Sequence, residues 1–401
     1  MDTLGLDIPL VSAGRYERPR RAGQWLPLVY GAMHLGGEGG LWPAVCIDTA
    51  EHVYALAGHA LLELEAGNQV TLYDREGEPI PEADYTLNPA HDYQGRGVIA
   101  TATFAAEAKD KEPITVRAAG KAGATGELLQ NPLEVVRDIL VEVCGLAPES
   151  IEPSAYSRAW ARAQELGYRA AGVIARPQPA GRLVTAVLGE FLGSWWQGAD
   201  GRYKFFLDLG PGTAGEGELA YCFREEHLSS VTAGANLRDL CNQVGARYAY
   251  SPRLKDCEAG PEDTLARDPA SIGLYGLRPR TLELKWVREG AVARRICTRL
   301  VDLLARPRRV ITCQEDALAG MVLEKGDLAL LSLSWLYDAA GQPLVNQIVR
   351  VMSIEPQLDQ GLVRYTLWDT GYYKTLAYPA DGTWPADGSR RAGGEKDTRE
   401  Y

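Results

Sequence analysis

The sequence has 401 residues, a formal net charge of -11, 46% hydrophobic residues and 24% charged residues. It is long enough for roughly two to four domains with buried cores and ordinary in composition for a globular protein. No apolar run approaches the roughly 18 residues of a membrane span, the acidic start MDTLGLDIPLVSAGRYERPRRAG has no apolar centre of a secretory signal, and no basic domain marks a nucleic-acid binder.

Residues 1–24 are polar and rich in Arg and Gly. They are expected to form an extended arm that orders only against a partner, with Arg15, Arg18, Arg20 and Arg21 on it. Residues 25–125 are expected to form a first β (barrel) domain. Val70–Tyr73 alternates, Asp74-Arg75-Glu76-Gly77 turns the chain, and Val98–Phe104 and Ile114–Arg117 are β-branched runs bounded by Gly and Pro. Gly36–Gly40 is a glycine-rich surface loop.

Residues 126–225 are expected to form an α+β insert. Asn131 is an N-cap, Pro132 suits the first helical position, Glu134 can close a capping box, and Gly145 supplies the stop. Further helices are expected over Ser154–Leu166 and Arg182–Phe191, followed by Trp195-Trp196, a Gly198–Gly201 turn and the strand Tyr203–Leu209.

Residues 226–375 are expected to form a second β (barrel) domain. Its strands are Arg247–Tyr250, Thr281–Trp286, Val310–Thr312, Leu328–Ser332, Val345–Ile354 and Val363–Trp368. A docked helix near 288–305 carries the stripe Val292, Ile296, Leu300, Leu303 and Leu304. The basic run Arg306, Arg308 and Arg309 after it reads as a solvated face. Residues 376–401 are rich in Gly, Pro and charge and are expected to be a flexible C-terminal tail. The expected fold class is mainly β with an α+β insert: two hub-type β-barrel domains plus helix-containing insertions. The most telling stretch is Ser271–Ser334, where a Tyr-Gly turn, a strand, an amphipathic helix, an alternating strand and a Gly-Asp turn describe a barrel with a helix on it.

Chemical motifs are sparse. Gly210-Pro211-Gly212-Thr213-Ala214-Gly215 matches GxGxxG, but Glu216 and Glu218 follow where a phosphate-binding helix should open, so a plain hairpin loop is expected. His52 and His59 would share a helical face with Asp48 and Glu51 nearby only if Ala50–Leu62 were a helix, and no known ligand spacing is present. Glu225-Glu226-His227 reads as a solvated turn. The seven cysteines, Cys46, Cys144, Cys222, Cys241, Cys257, Cys297 and Cys313, are odd in number with no CxxC pair, so buried reduced thiols are expected. Trp195 and Trp196, being adjacent, point to opposite faces, one for the core and one for an interface or ligand platform. No catalytic residue, cofactor site or metal site is expected.

Several stretches together resemble the tail hub family of tailed phages. They are Leu26–Gly31, Ile99–Phe104 with Ile114–Lys121, Asn131-Pro132 opening a helix that ends in Cys144-Gly145-Leu146, and Leu166-Gly167-Tyr168. The pattern continues with Trp195–Leu209, Ser271-Ile272 with Tyr275-Gly276 and Arg280, the Ala293-Arg294-Arg295 helix, and Gly326-Asp327 before an apolar strand. The resemblance implies a non-enzymatic virion protein at the distal end of the tail, made in the host cytoplasm. It implies a homotrimer that closes the tail tube, contacting the distal tail protein, the tape-measure protein and tip or fibre proteins. DNA would meet it only in transit through the lumen, and no membrane insertion by this chain is implied. Fibre, fibronectin-like and peptidase extensions of the longest relatives are not present, so receptor recognition is not expected of this chain. The competing readings are a distal tail or adaptor protein, a tail-associated cell-wall hydrolase or peptidase acting through Glu225, Glu226 or His227, and an unrelated globular binding protein.

Overall fold

In the computed structural model the described residues are 4–373, without 17, 36–40, 63–69, 96, 208–220, 236, 318–322, 338–341 and 358. The chain divides into two compact units. Unit 1 comprises 1–207, 244–267 and 280–300, and unit 2 comprises 208–243, 268–279 and 301–401. The fold is mainly β with helical inserts, as expected.

Unit 1 begins with β1 (Leu28–Tyr30), β2 (Trp42–Pro43), β3 (Val45–Asp48), β4 (Val53–Ala57), β5 (Thr71–Tyr73), β6 (Tyr85–Asp92), β7 (Val98–Phe104) and β8 (Thr115–Arg117). They form a four-stranded sheet in the order β3-β4-β7-β6 and a three-stranded sheet in the order β2-β8-β5. Trp42, Leu72 and Val116 from the small sheet share one core with Tyr54, Leu56, Ala100, Ala102 and Phe104 from the large one. The Trp42 indole also donates to the Leu56 carbonyl at 2.9 Å, which fixes the spacing between the two layers. The turn after β5 follows its sequence. Asp74 Oδ1 accepts from the N–H groups of Glu76, Gly77 and Glu78, and Gly77 takes φ 93.

All five residues of β4 are buried, because its two faces meet different cores. Tyr54 and Leu56 face the inter-sheet core, whereas Val53 and Ala55 pack with Ala13, Tyr16, Leu26, Val45, Ile47, Tyr93 and Ile99. The chain start is therefore no arm waiting for a partner. Ile8 donates its N–H to the Gln178 carbonyl, and Ile8, Leu10, Ala13 and Tyr16 are buried. Arg20, expected on the arm, bonds Glu112 at 2.8 Å, whose other oxygen accepts from the Tyr54 hydroxyl at 2.6 Å. The polar composition hid four well-placed apolar residues.

The insert carries α1 (Pro132–Asp138), α2 (Pro153–Glu165), β9 (Gly172–Ile174), α3 (Ala180–Glu190), β10 (Gly193–Gln197) and β11 (Tyr203–Leu207). Asn131 caps α1 through Leu133 N–H, as the sequence predicts, and a π-helical turn (Ile139–Val143) extends it. The capping box does not form, because Glu134 accepts from the Trp160 indole at 2.8 Å and so ties α1 to α2. β9 pairs with β1 and β11 with β10, both antiparallel. Gly31, at φ 69, runs so close to this layer that a Cβ there would lie 2.0 Å from the Ala170 carbonyl oxygen.

Next along the chain are β12 (Cys222–Arg224), β13 (Leu228–Ala235), β14 (Gln243–Ser251), β15 (Asp256–Ala259), β16 (Ala266–Arg267), α4 (Pro269–Tyr275), β17 (Pro279–Glu283) and α5 (Gly290–Leu304). In unit 1, β14 lies between β15 and β16 and also pairs with β17. Helix α5 buries Val292, Ala293, Ile296, Cys297, Leu300, Val301 and Leu303, the stripe expected of it, while Leu304 is half-buried.

The last strands are β18 (Arg309–Asp316), β19 (Leu328–Tyr337), β20 (Pro343–Gln357) and β21 (Leu362–Tyr373). Unit 2 is built on one six-stranded sheet in the order β12-β19-β20-β21-β18-β13. Only Glu225–His227 separates β12 from β13, the two ends of that order. Such a link reaches at most about 14 Å, so the sheet must curl until its ends approach. It forms a half-barrel around Phe223, Ile311, Cys313, Leu331, Val349, Val351, Val363, Tyr365 and Leu367. Arg308, expected on a solvated face, instead ties the end of α5. Its guanidinium donates to the Leu303 and Thr370 carbonyls at 3.0 and 2.5 Å.

Candidate functional site: buried polar ties and an open sheet edge

Most chemical candidates from the sequence fall within the described residues. Gly210–Gly215 and the Gly36–Gly40 loop lie outside the described residues. His52 sits in a turn at φ 54 and His59 follows β4, so the helix that would have joined them is replaced by a strand. His59 Nε2 accepts from Val29 N–H at 2.9 Å and its Nδ1 lies 2.7 Å from the Ala60 carbonyl. Burial lowers its pKa to about 4, so it is neutral at pH 7. Among the described residues no three His, Cys, Asp or Glu side chains are grouped to hold a metal ion.

Glu225, Glu226 and His227 form an exposed 3-10 turn. Glu225 accepts from Ser334 N–H at 2.9 Å and from its hydroxyl at 2.6 Å, and these bonds hold its carboxyl below the usual range. The triplet thus pins the link between β12 and β13 to β19. All seven cysteines are free thiols, and burial raises Cys313 to about 12, which keeps it protonated.

Trp195 and Trp196 do point to opposite faces. Trp195 packs against Tyr203 and donates to the Thr185 hydroxyl at 2.9 Å, on the side where Phe205 meets Tyr156 of α2. Trp196 packs at a tilt against Phe206 on the other side, and its indole nitrogen is buried with no hydrogen-bond partner among the described residues.

Three buried polar ties were not read from the sequence. In unit 1, Asp138 accepts from the Tyr30 hydroxyl at 2.8 Å and from Lys121 at 2.8 and 2.9 Å, which fastens the end of α1 to β1 and the strand-following segment. Glu190, at the end of α3, accepts from Trp286 N–H at 2.7 Å. Burial outweighs that bond and raises its carboxyl to about 8. In unit 2, the Tyr221 hydroxyl donates to Glu315, whose other oxygen is buried and unpartnered. Tyr221 leads into one end of the sheet and Glu315 lies on β18, next to the other end, so this bond crosses the curl. Burial raises the Glu315 carboxyl as well. Each tie joins chain segments distant in sequence, and no periodicity marks such a contact.

The remaining feature is an edge. β13 is an end strand of the half-barrel sheet and is exposed along most of its length. The sequence signal for it was available: Leu228–Leu237 contains no ionisable residue.

No family model matches the chain, and no curated protein matches it. Among solved structures, 95% of the chain is similar to 92% of a chain in the virion of a native gene transfer agent particle, at 13% identity and a TM-score of 0.51. A prophage tail protein of Listeria monocytogenes EGD-e matches at 10% identity and a TM-score of 0.33, over 86% of this chain and 87% of that chain. A 43 kDa tail protein of prophage MuSo2 from Shewanella oneidensis matches at 10% identity and a TM-score of 0.35, over 86% and 93%. The resemblance to tailed-particle proteins read from the sequence thus recurs at the level of fold, which this chain shares with the gene transfer agent virion chain.

Proposed function

We propose that this chain is a structural, non-enzymatic component of the tail of a phage or related gene-transfer particle. The observation that carries this reading is the fold shared along nearly the whole chain with a component of a gene transfer agent virion. The polar interior supports it. His59, Asp138, Glu190 and Glu315 each bond elements of the fold, and the Glu225–His227 turn fastens a strand link. Catalysis needs such groups aimed at a bound substrate instead.

In the finer form of the proposal the chain is a hub at the distal end of the tail. Three copies close the tube, and their two β-rich units give six around the axis. The distal tail protein, the tape-measure protein and tip or fibre proteins are its neighbours. The net charge of -11 suits a channel that DNA traverses without sticking, because phosphates are repelled. The test is the mass of the purified assembly by light scattering, together with antibody labelling of particles. Three copies and label at the tail end are the expected results. Six copies would make it a distal tail or adaptor protein, and a free monomer absent from particles would overturn the proposal.

A further inference from the structure

We propose that Glu315 is a proton-operated clasp of the half-barrel: it holds a proton while the curl is closed, and loss of that proton lets the β12 end open. The inference concerns unit 2 alone and does not depend on the tail reading above.

Strand β18 alternates, and Ile311, Cys313 and Glu315 take its fully buried inward positions. The last of these carries a carboxyl where the pattern calls for an apolar side chain. Its neighbours across the two ladders are Leu228 on β13 and Val363 on β21, whose side chains have no polar group to offer. The Tyr221 hydroxyl donates to Oε1, and Oε2 is buried without a hydrogen-bond partner among the described residues. An ionised carboxylate is an acceptor at both oxygens, so an ionised Glu315 would be a buried charge with one oxygen bare. The neutral carboxyl leaves only a hydroxyl unbonded, which costs far less. Geometry thus selects the protonated form, and burial raises the carboxyl above its usual 4.5 in the same sense.

The titratable groups that face Glu315 do not supply a second donor charge at its own depth. Cys313 on the same strand and Tyr365 on β21 are both pushed up by burial, with the charge of Glu315 adding to the effect, so both stay neutral. The Tyr221 hydroxyl bond and His227, in the link between β12 and β13, favour the ionised form, whereas Asp316 opposes it, and burial outweighs all three. β13 itself presents no titratable side chain.

Position makes this proton a clasp. Tyr221 leads into β12 at one end of the sheet order, and Glu315 lies next to the other end, so their bond joins segments that share no ladder. β12 has three residues and pairs with β19, where the Tyr221 carbonyl accepts from Leu330 N–H at 2.9 Å. An ionised Glu315 is satisfied by water once the Tyr221 segment moves off β18. The closed form holds the proton more tightly than the open form, so opening releases it. The clasp is complete below pH 4.5, weakens as pH rises, and is gone once pH passes the raised value of the closed form.

The test is amide exchange of the full chain from about pH 5 to 8, corrected for the intrinsic pH dependence of exchange and read at 222–224 and Leu330. Opening of this end should rise about tenfold for each pH unit, then level off where the closed form gives up its proton. Glu315→Gln cannot ionise and should make the opening independent of pH. Glu190→Gln in unit 1 is the control and should keep the native slope. A native chain without the slope, a Glu315→Gln chain that retains it, or a Glu190→Gln chain that loses it overturns the clasp. Where Glu315→Gln folds poorly, Tyr221→Phe decides. The Tyr221 hydroxyl holds the Glu315 carboxyl down against burial, so its removal should carry the levelling point to higher pH. A levelling point that does not move overturns the clasp as well.

Discussion

β4 in unit 1 and β13 in unit 2 both carry a Val-x-Ala-x-Ala run, yet one is wholly buried and the other mostly exposed. The side chains explain part of the difference, because β4 has Tyr54 and Leu56 where β13 has Thr232 and Gly234. Position in the sheet explains the rest. β4 has strands on both edges and apolar cores on both faces, whereas β13 has one strand neighbour among the described residues and reaches the half-barrel core only through Leu228 and Val231. Burial along a strand reports what surrounds it as well as its own residues.

The largest expected effects test the two cores side by side. Trp42→Ala in unit 1 removes a fully buried indole and leaves the Leu56 carbonyl without its donor. Phe223→Ala in unit 2 empties the centre of the half-barrel, where the ring sits 5.0 Å from Tyr221 and 5.1 Å from Tyr365. Each should lower stability by about 3–5 kcal/mol, with Trp42→Ala the larger. Denaturant unfolding followed by tryptophan fluorescence measures both. Equal midpoints with the native chain would mean that these residues do not form the cores described.

Next is the polar tie of unit 1. Asp138→Ala leaves the Tyr30 hydroxyl buried without its acceptor and Lys121 without its counter-ion. A loss of about 3 kcal/mol is expected. Asp138→Asn keeps the shape and an acceptor and should lose less. If both variants match the native chain in urea, the tie contributes nothing.

Much of the fold was legible in the sequence because local rules settled it. The Asn131 cap, the Asp74 turn, the α5 stripe and the β18–β21 strands all follow from spacing alone. Most of the misreadings share one cause, that tertiary contacts carry no period. The chain start looked like a free arm because Ala13 and Tyr16 answer to a sheet formed later in the sequence and Ile8 bonds Gln178, later still. The strand β13 was passed over because its small polar residues do not alternate. Helix α4 was also missed, although Asp268 caps it through Ser271 N–H at 2.9 Å and Pro269 opens it. The buried ties of Asp138, Glu190 and Glu315 needed the fold to become visible.

The pH dependence sharpens the comparison between buried and open surface. Glu190 is raised from 4.5 to about 8 in the folded chain, chiefly by burial. The folded state therefore holds this proton more tightly than the unfolded chain does. The stability it contributes is complete below pH 4.5, declines as pH rises, and is gone once pH passes about 8. Glu190→Gln should flatten that decline while leaving the melting point at acid pH nearly unchanged. Thermal melts from pH 5 to 9 compare the two chains, and parallel curves would remove Glu190 as the source.

The smallest effect is expected from Trp335, 45% exposed near the end of the β19–β20 hairpin, beside Tyr337 at 51% and Val345 at 60%. Its substitution by Ser opens no core cavity, so stability should change by no more than about 0.5 kcal/mol. This is the counterpart of Trp42→Ala with the same residue type in the opposite surroundings. Urea unfolding of the isolated chain decides it. A loss comparable with that of Trp42→Ala would show that the hairpin end is packed and that exposure is a poor guide in unit 2.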